Sequence, residues 1–116
     1  AYDTALEHYE KSLELCDYNE DCPAAALIFS RIGQVKFQQG IISEAQFYFL
    51  KSLKAYENSV FAWGRVDVYY YLYKIYSSKN MVVKAKNYLE KASFYANKYA
   101  CDELREHINS ILIKLN

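Results

Sequence analysis

A chain of 116 residues has the length of one domain and can bury roughly 65% of its unfolded surface. Its 14 basic and 14 acidic residues cancel, with no block of like charge, which argues against capture of nucleic acid or an anionic membrane and leaves proteins or peptides as the expected partners. Three glycines and one proline supply too little turn chemistry for a multistranded sheet, no apolar run nears the roughly 20 residues of a membrane span, and no signal-peptide pattern opens the chain.

In chain order, residues 1–17 place Ala5, Tyr9, Ser12 or Leu13 and Cys16 at steps of three and four, one stripe of an amphipathic helix. The polar run 18–22 breaks that pattern, and Pro23 suits the first turn of a second helix, where its missing N–H is no loss. This helix keeps Leu27 or Ile28, Ile32, Val35 and Phe37 on one side and runs to Gln39, with Gly40 as its left-handed cap. Ser43 and Gln46 form a capping-box pattern for a third helix through Ala45, Phe49, Leu53 and Tyr56, and Asn58-Ser59 ends it. A fourth helix over residues 60–78 carries Trp63, Val66, Tyr69 or Tyr70, Leu72, Tyr73, Ile75 and Tyr76, apolar on several sides and therefore packed on several sides. After a turn at 77–80, a fifth helix to Lys98 turns Val82, Ala85, Leu89, Ala92 and Tyr95 or Ala96 inward. A sixth begins near Asp102, a good N-cap. It buries Leu104, Ile108, Ile111, Leu112 and Leu115 and turns Arg105, Glu106 and Asn109 outward.

Three of these segments are copies of one another. Ala5-x3-Tyr9-x2-Ser12, Ala45-x3-Phe49-x2-Ser52 and Ala85-x3-Leu89-x2-Ala92 recur at a fixed offset of 40 residues, with Lys11, Lys51 and Lys91 before the last small residue. A fixed period of this size marks a solenoid, in which each unit buries its apolar face against its neighbours. Such proteins mostly work by presenting an extended surface.

Within the period, Phe29-x2-Ile32-Gly33 followed by Ala45-x3-Phe49, and Tyr69-x2-Leu72-Tyr73-x2-Tyr76 followed by Ala85-x3-Leu89, resemble the tetratricopeptide repeat pattern. Each copy has the 16-residue step from first aromatic to alanine that the motif requires. Lys36 replaces one motif aromatic, Tyr73 replaces the close-packing glycine of the second copy, and Asp17 and Glu57 stand where the motif has proline, so the repeats are divergent. The resemblance implies an all-α fold: a right-handed superhelical solenoid of antiparallel helix pairs with about six helices. Residues 1–17 would be the second helix of a truncated repeat, 23–57 and 60–98 two repeats and 102–116 a closing helix, all in one domain. A start inside a repeat and a stop inside another first helix suggest a fragment of a larger protein.

In this family the first helix of each pair lines a concave groove. By register the groove residues would be Leu27, Ser30, Arg31, Gln34 and Gln38 from one unit and Asp67, Tyr70, Tyr71, Lys74 and Ser78 from the next. Arg31 and Lys74 can pair with a carboxylate, and Tyr70 and Tyr71 offer rigid contact area. Asp67 and Tyr71 stand where the chaperone-binding subset has cations, so that carboxylate clamp is not expected. The resemblance implies a scaffold or adaptor that holds a peptide or helix of a partner protein. An alternative is the peptide-sensing domain of a bacterial-type regulator controlling a flanking effector.

Little else in the chain carries chemistry. Cys16, Cys22 and Cys101 are odd in number and form no CxxC pair, so reduced thiols and a cytoplasmic, intracellular location are expected. A Cys16–Cys22 link stays open for a secreted protein. His8 and His107 have no metal or catalytic context, and no nucleophile elbow, phosphate loop or carboxylate pair is present. Neither enzymatic activity nor a metal or cofactor is expected. Trp63 reads as an anchor between units or, if exposed, as a binding hot spot.

Overall fold

The computed structural model describes residues 2–15, 23–57, 64–99 and 102–115. The described residues form six helices: α1 (Tyr2–Leu15), α2 (Pro23–Gln38), α3 (Ile42–Tyr56), α4 (Arg65–Ser78), α5 (Val82–Tyr99) and α6 (Asp102–Leu115). The all-α class and helix count are those expected. Cys16, Cys22, Cys101, Trp63, the polar run 18–22, the stop at Asn58-Ser59 and the expected start of α4 at residue 60 lie outside the described residues; Asp102, expected as the cap of α6, is its first helical residue. The chain divides into two compact units, residues 1–61 and 62–116.

In the first unit α2 and α3 are joined by Gln39, Gly40 and Ile41, a connection short enough to reverse the chain. Gly40 has φ 83°, a region open to residues without a β-carbon. Its N–H donates to the Phe37 carbonyl at 3.0 Å and that of Ile41 to the Lys36 carbonyl at 2.9 Å, the paired bonds of a Schellman turn. This turn also displaces the expected capping box. Ile41, not Ser43, is the N-cap of α3, without a side-chain capping bond. The Ile41 carbonyl already accepts the first helical bond, from the Ala45 N–H at 3.0 Å, so Ser43 sits inside the first turn. Lys36, in the place of a motif aromatic, pairs across the turn with Glu44 at 3.2 Å.

The core of this unit gathers Leu13, Phe29 and Ile32, with Leu6, Tyr9, Ile28 and Tyr48 packed on it. Of the open pairs, Leu13 turns inward rather than Ser12 and Ile28 rather than Leu27, which is 44% exposed. Phe49 is fully buried against the bare backbone of Gly33. A β-carbon on Gly33 would lie 2.8 Å from Cδ1 and from Cε1 of that ring. One turn along α3, the Ser52 hydroxyl donates to the Ala26 carbonyl of α2 at 2.7 Å.

The second unit repeats the helix pair with other residues. α4 starts at Arg65 after Gly64. Its turn is again of the Schellman kind, with the Asn80 N–H on the Ser77 carbonyl at 3.1 Å and the Met81 N–H on that of Tyr76 at 3.0 Å. Here the left-handed residue is Asn80, φ 61°, 40 positions after Gly40. Val66, Leu89, Ala92, Ala96 and Ile108 form the core, flanked by Tyr69, Tyr70, Tyr73, Tyr95, Leu104, Ile111 and Leu112. Rings run from α4 to α5 as a stack: Tyr76 on Tyr88 at 5.4 Å, Tyr69 on Tyr95 at 5.8 Å and Tyr95 on Tyr99 at 6.3 Å.

Four inward or outward expectations fail in this unit. Val82 is 65% exposed, because the whole tip of the hairpin over 77–84 is exposed and the α5 stripe enters the core only at Ala85. Leu115 is 43% exposed, one turn beyond the last α6 residue that reaches the core. Asn109 does not face out. Its Oδ1 accepts from Ser93 Oγ at 2.6 Å and its Nδ2 donates to Asn97 Oδ1 at 3.3 Å, while Asn97 Nδ2 donates to Ser93 Oγ at 3.3 Å. Ser93 and Asn97 are one turn apart on α5 and offer a donor and acceptors towards α6. Arg105 is half-buried.

Candidate functional site

The ten residues assigned by register to the ligand-facing surface fall into two sets, one on each unit. On α2, Leu27, Arg31, Gln34 and Gln38 recur at steps of four, three and four, which brings them to one side of the helix. Leu27, Arg31 and Gln38 are exposed and Gln34 is half-buried. Ser30 is only 2% exposed. Its hydroxyl accepts from Gln34 Nε2 at 3.3 Å, so it orients the Gln34 amide rather than presenting itself. Leu27 and Arg31, with Ile28 and Ala24, line a shallow hollow of about 540 Å³ that α1 completes through His8, Ser12 and Leu15.

On α4 the equivalent positions are Asp67, Tyr71, Lys74 and Ser78, with Tyr70 beside them. Asp67 and Ser78 are exposed and the other three half-buried. The Ser78 hydroxyl donates to the Ile75 carbonyl at 2.7 Å and so caps its own helix end. The structure brings Tyr70, Tyr71 and Lys74 together: Lys74 Nζ stands 4.6 Å from the Tyr70 ring centroid and 5.3 Å from that of Tyr71. An ammonium over two ring faces is held by the ring quadrupoles.

Sequence reasoning missed a fourth member of this cluster. The Tyr70 hydroxyl lies 2.8 Å from His107 Nε2 on α6, and the imidazole meets the Tyr70 ring edge-on at 5.6 Å. Burial raises the Tyr70 pKa above its ordinary value of 10.0. The phenol therefore keeps its proton at neutral pH and can donate to an imidazole whose Nε2 is bare. The signal was in the sequence: Leu27, Asp67 and His107 are successive positions at the 40-residue offset, so α6 continues the series of first helices and presents His107 and Lys114 as α4 presents Asp67 and Lys74.

The described residues contain no group of three or more His, Cys, Asp or Glu able to hold a metal, and no described helix is long and apolar enough to cross a membrane. Taken unit by unit, the α2 surface offers an apolar side chain, amide groups and a guanidinium, and the α4 surface offers tyrosine faces and an ammonium. Helical hairpins with a forty-residue recurrence and tight turns at equivalent positions define a helical-repeat protein.

The model of the tetratricopeptide repeat family matches residues 1–58. The chain belongs to that family. No curated protein and no solved structure matches it. Repeats of this family generally mediate protein–protein interaction and are typically non-enzymatic.

Proposed function

We propose that this chain is a scaffold or adaptor module that holds an extended peptide or a helix of a partner protein on its first-helix surfaces. The observation that carries the reading is the Tyr70–Tyr71–Lys74 cluster, with His107 within hydrogen-bond distance of the Tyr70 hydroxyl. Tyrosine gives large contact area at low conformational cost, and the ammonium over the rings gives that area a preference for acidic ligands. Leu27, Arg31, Gln34 and Gln38 on α2 supply an apolar contact, a second cation and amide donors and acceptors. Ser30 contributes through Gln34, and Asp67 and Ser78 flank the tyrosines.

The test is selection of linear peptides by the folded chain, followed by affinity measurement against a Tyr71→Ala/Lys74→Glu variant whose helicity matches the parent. Acidic peptides are expected to be enriched and to bind the variant at least tenfold more weakly, about 1.4 kcal/mol. Equal affinity for both proteins would remove this surface from the site.

A further inference from the structure

Overall neutrality conceals a division between the two units. Residues 1–61 carry nine acids against five bases, and residues 62–116 five acids against nine bases. Each excess is concentrated on one helix. On α1, Asp3, Glu7, Glu10 and Glu14 are all exposed and follow one another at steps of four, three and four, one stripe of the helix. On α5, Lys84, Lys91 and Lys98 are exposed at steps of seven, again one stripe. Both series therefore repeat every seven residues, about 10.5 Å of helix rise.

The acidic stripe is unfavourable to its own helix. Asp3 and Glu7, Glu7 and Glu10, and Glu10 and Glu14 are like charges at the spacing where helix neighbours repel. Lys11 flanks the stripe, yet among the described residues none of the four carboxylates is in an ion pair. The lysines are held differently. Lys84 Nζ stands 4.7 Å from the Tyr76 ring centroid, Lys91 Nζ 5.5 Å from that of Tyr88 and Lys98 Nζ 5.6 Å from that of Tyr99. Each ring supports an ammonium at the surface and leaves its outer side for an anion. One helix thus displays carboxylates that repel one another, and another displays ammonium groups at the same axial repeat.

We propose that α1 of one copy of this chain docks along α5 of a second copy, with Asp3, Glu7, Glu10 and Glu14 facing Lys84, Lys91 and Lys98. Two copies that exchange both contacts close into a dimer, and copies that exchange one form a chain. The contact relieves the repulsion on α1 and uses helices other than those of the first-helix surfaces. Because the charges are exposed, association is weak and depends on ionic strength.

The test is sedimentation velocity of the full chain between about 0.01 and 1 M salt, over which the screening length falls from about 30 to about 3 Å. The parent is expected to sediment above its monomer mass of 13.6 kDa at low salt and as monomer at high salt. The variants Lys84→Glu/Lys91→Glu/Lys98→Glu and Glu7→Lys/Glu10→Lys/Glu14→Lys, each checked for helicity, are expected to be monomeric alone at every salt. Mixed in equal amounts they are expected to associate again, since each stripe then meets its opposite. A parent monomeric at low salt overturns the proposal. Association undiminished in either variant, or a mixture that stays monomeric, also overturns it.

Discussion

Alanine at position 33 tests the closest approach between α2 and α3. The new β-carbon would lie 2.8 Å from two atoms of the Phe49 ring and 3.1 Å from a third, where carbon pairs prefer about 3.5–4.0 Å. Phe49 is fully buried, so the ring cannot retreat without moving its neighbours. At an ordinary helix position glycine to alanine stabilises by about 1 kcal/mol, whereas overpacking a filled core costs about 1–3 kcal/mol. The net expectation for Gly33→Ala is a loss of about 1 kcal/mol, a fall in Tm of roughly 4 °C. Phe49→Leu alone is expected to destabilise by creating space. Combined with Gly33→Ala it gives that space to the new methyl group, so the double variant loses at least about 1 kcal/mol less than the sum of the single losses. The second unit already carries such an exchange, with Tyr73 in the place of Gly33 and Leu89 in that of Phe49. Urea denaturation of the four proteins, followed by circular dichroism, measures the cycle. A Gly33→Ala protein more stable than the parent, or additivity within about 0.5 kcal/mol, would refute the reasoning.

Asn80→Gly, which gives the φ 61° position the residue used at the equivalent turn, is expected to raise stability by about 0.5 kcal/mol; a lower midpoint in the same denaturation assay would contradict this account of the turn. Leu72→Asp puts an unpaired charge at a fully buried position and is expected to cost on the order of 3 kcal/mol or more, so a thermal melt like the parent's would be incompatible with the packing of α4. Burial raises the pKa of Tyr70 and of Tyr88 above 10.0, with Tyr76 adding repulsion at Tyr88. The unfolded chain then loses these protons first, and stability, level below about pH 9, is expected to fall as pH rises past about 10. In Tyr70→Phe/Tyr88→Phe that alkaline slope is expected to be shallower, and an unchanged slope would assign it to other groups.

The parts of the fold legible in the sequence are those that depend on recurrence. Ala45, Phe49, Ala85, Leu89 and Ala92 were placed inward by a pattern that compares the chain with itself, and each is buried. What escaped depends on a neighbour. Ser43 has the chemistry of a cap, but the turn closed by Gly40 decides where α3 begins. Val82 lies on the correct stripe at a hairpin tip where nothing covers it. Asn109 looks like a surface residue until Ser93 and Asn97 are set opposite it. Of the candidate surface, register brought out Tyr70, Tyr71 and Lys74, which cluster, while Ser30 is covered and His107, read alone, offers no reason to join them.

The ring formed by Ser93, Asn97 and Asn109 has a consequence for how α6 can seat on α5. An apolar seam tolerates sliding, since one methyl group substitutes for another. A closed ring in which Asn109 must both donate and accept does not. Shifting α6 by about one turn would bring Arg105, Glu106, Leu112 or Ile113 to that place: a side chain that only donates, one that only accepts when ionised, or one that does neither. Each alternative seating leaves Ser93 and Asn97 without the partner that completes their circuit, so three modest hydrogen bonds act as a detent that selects a single axial position for the helix.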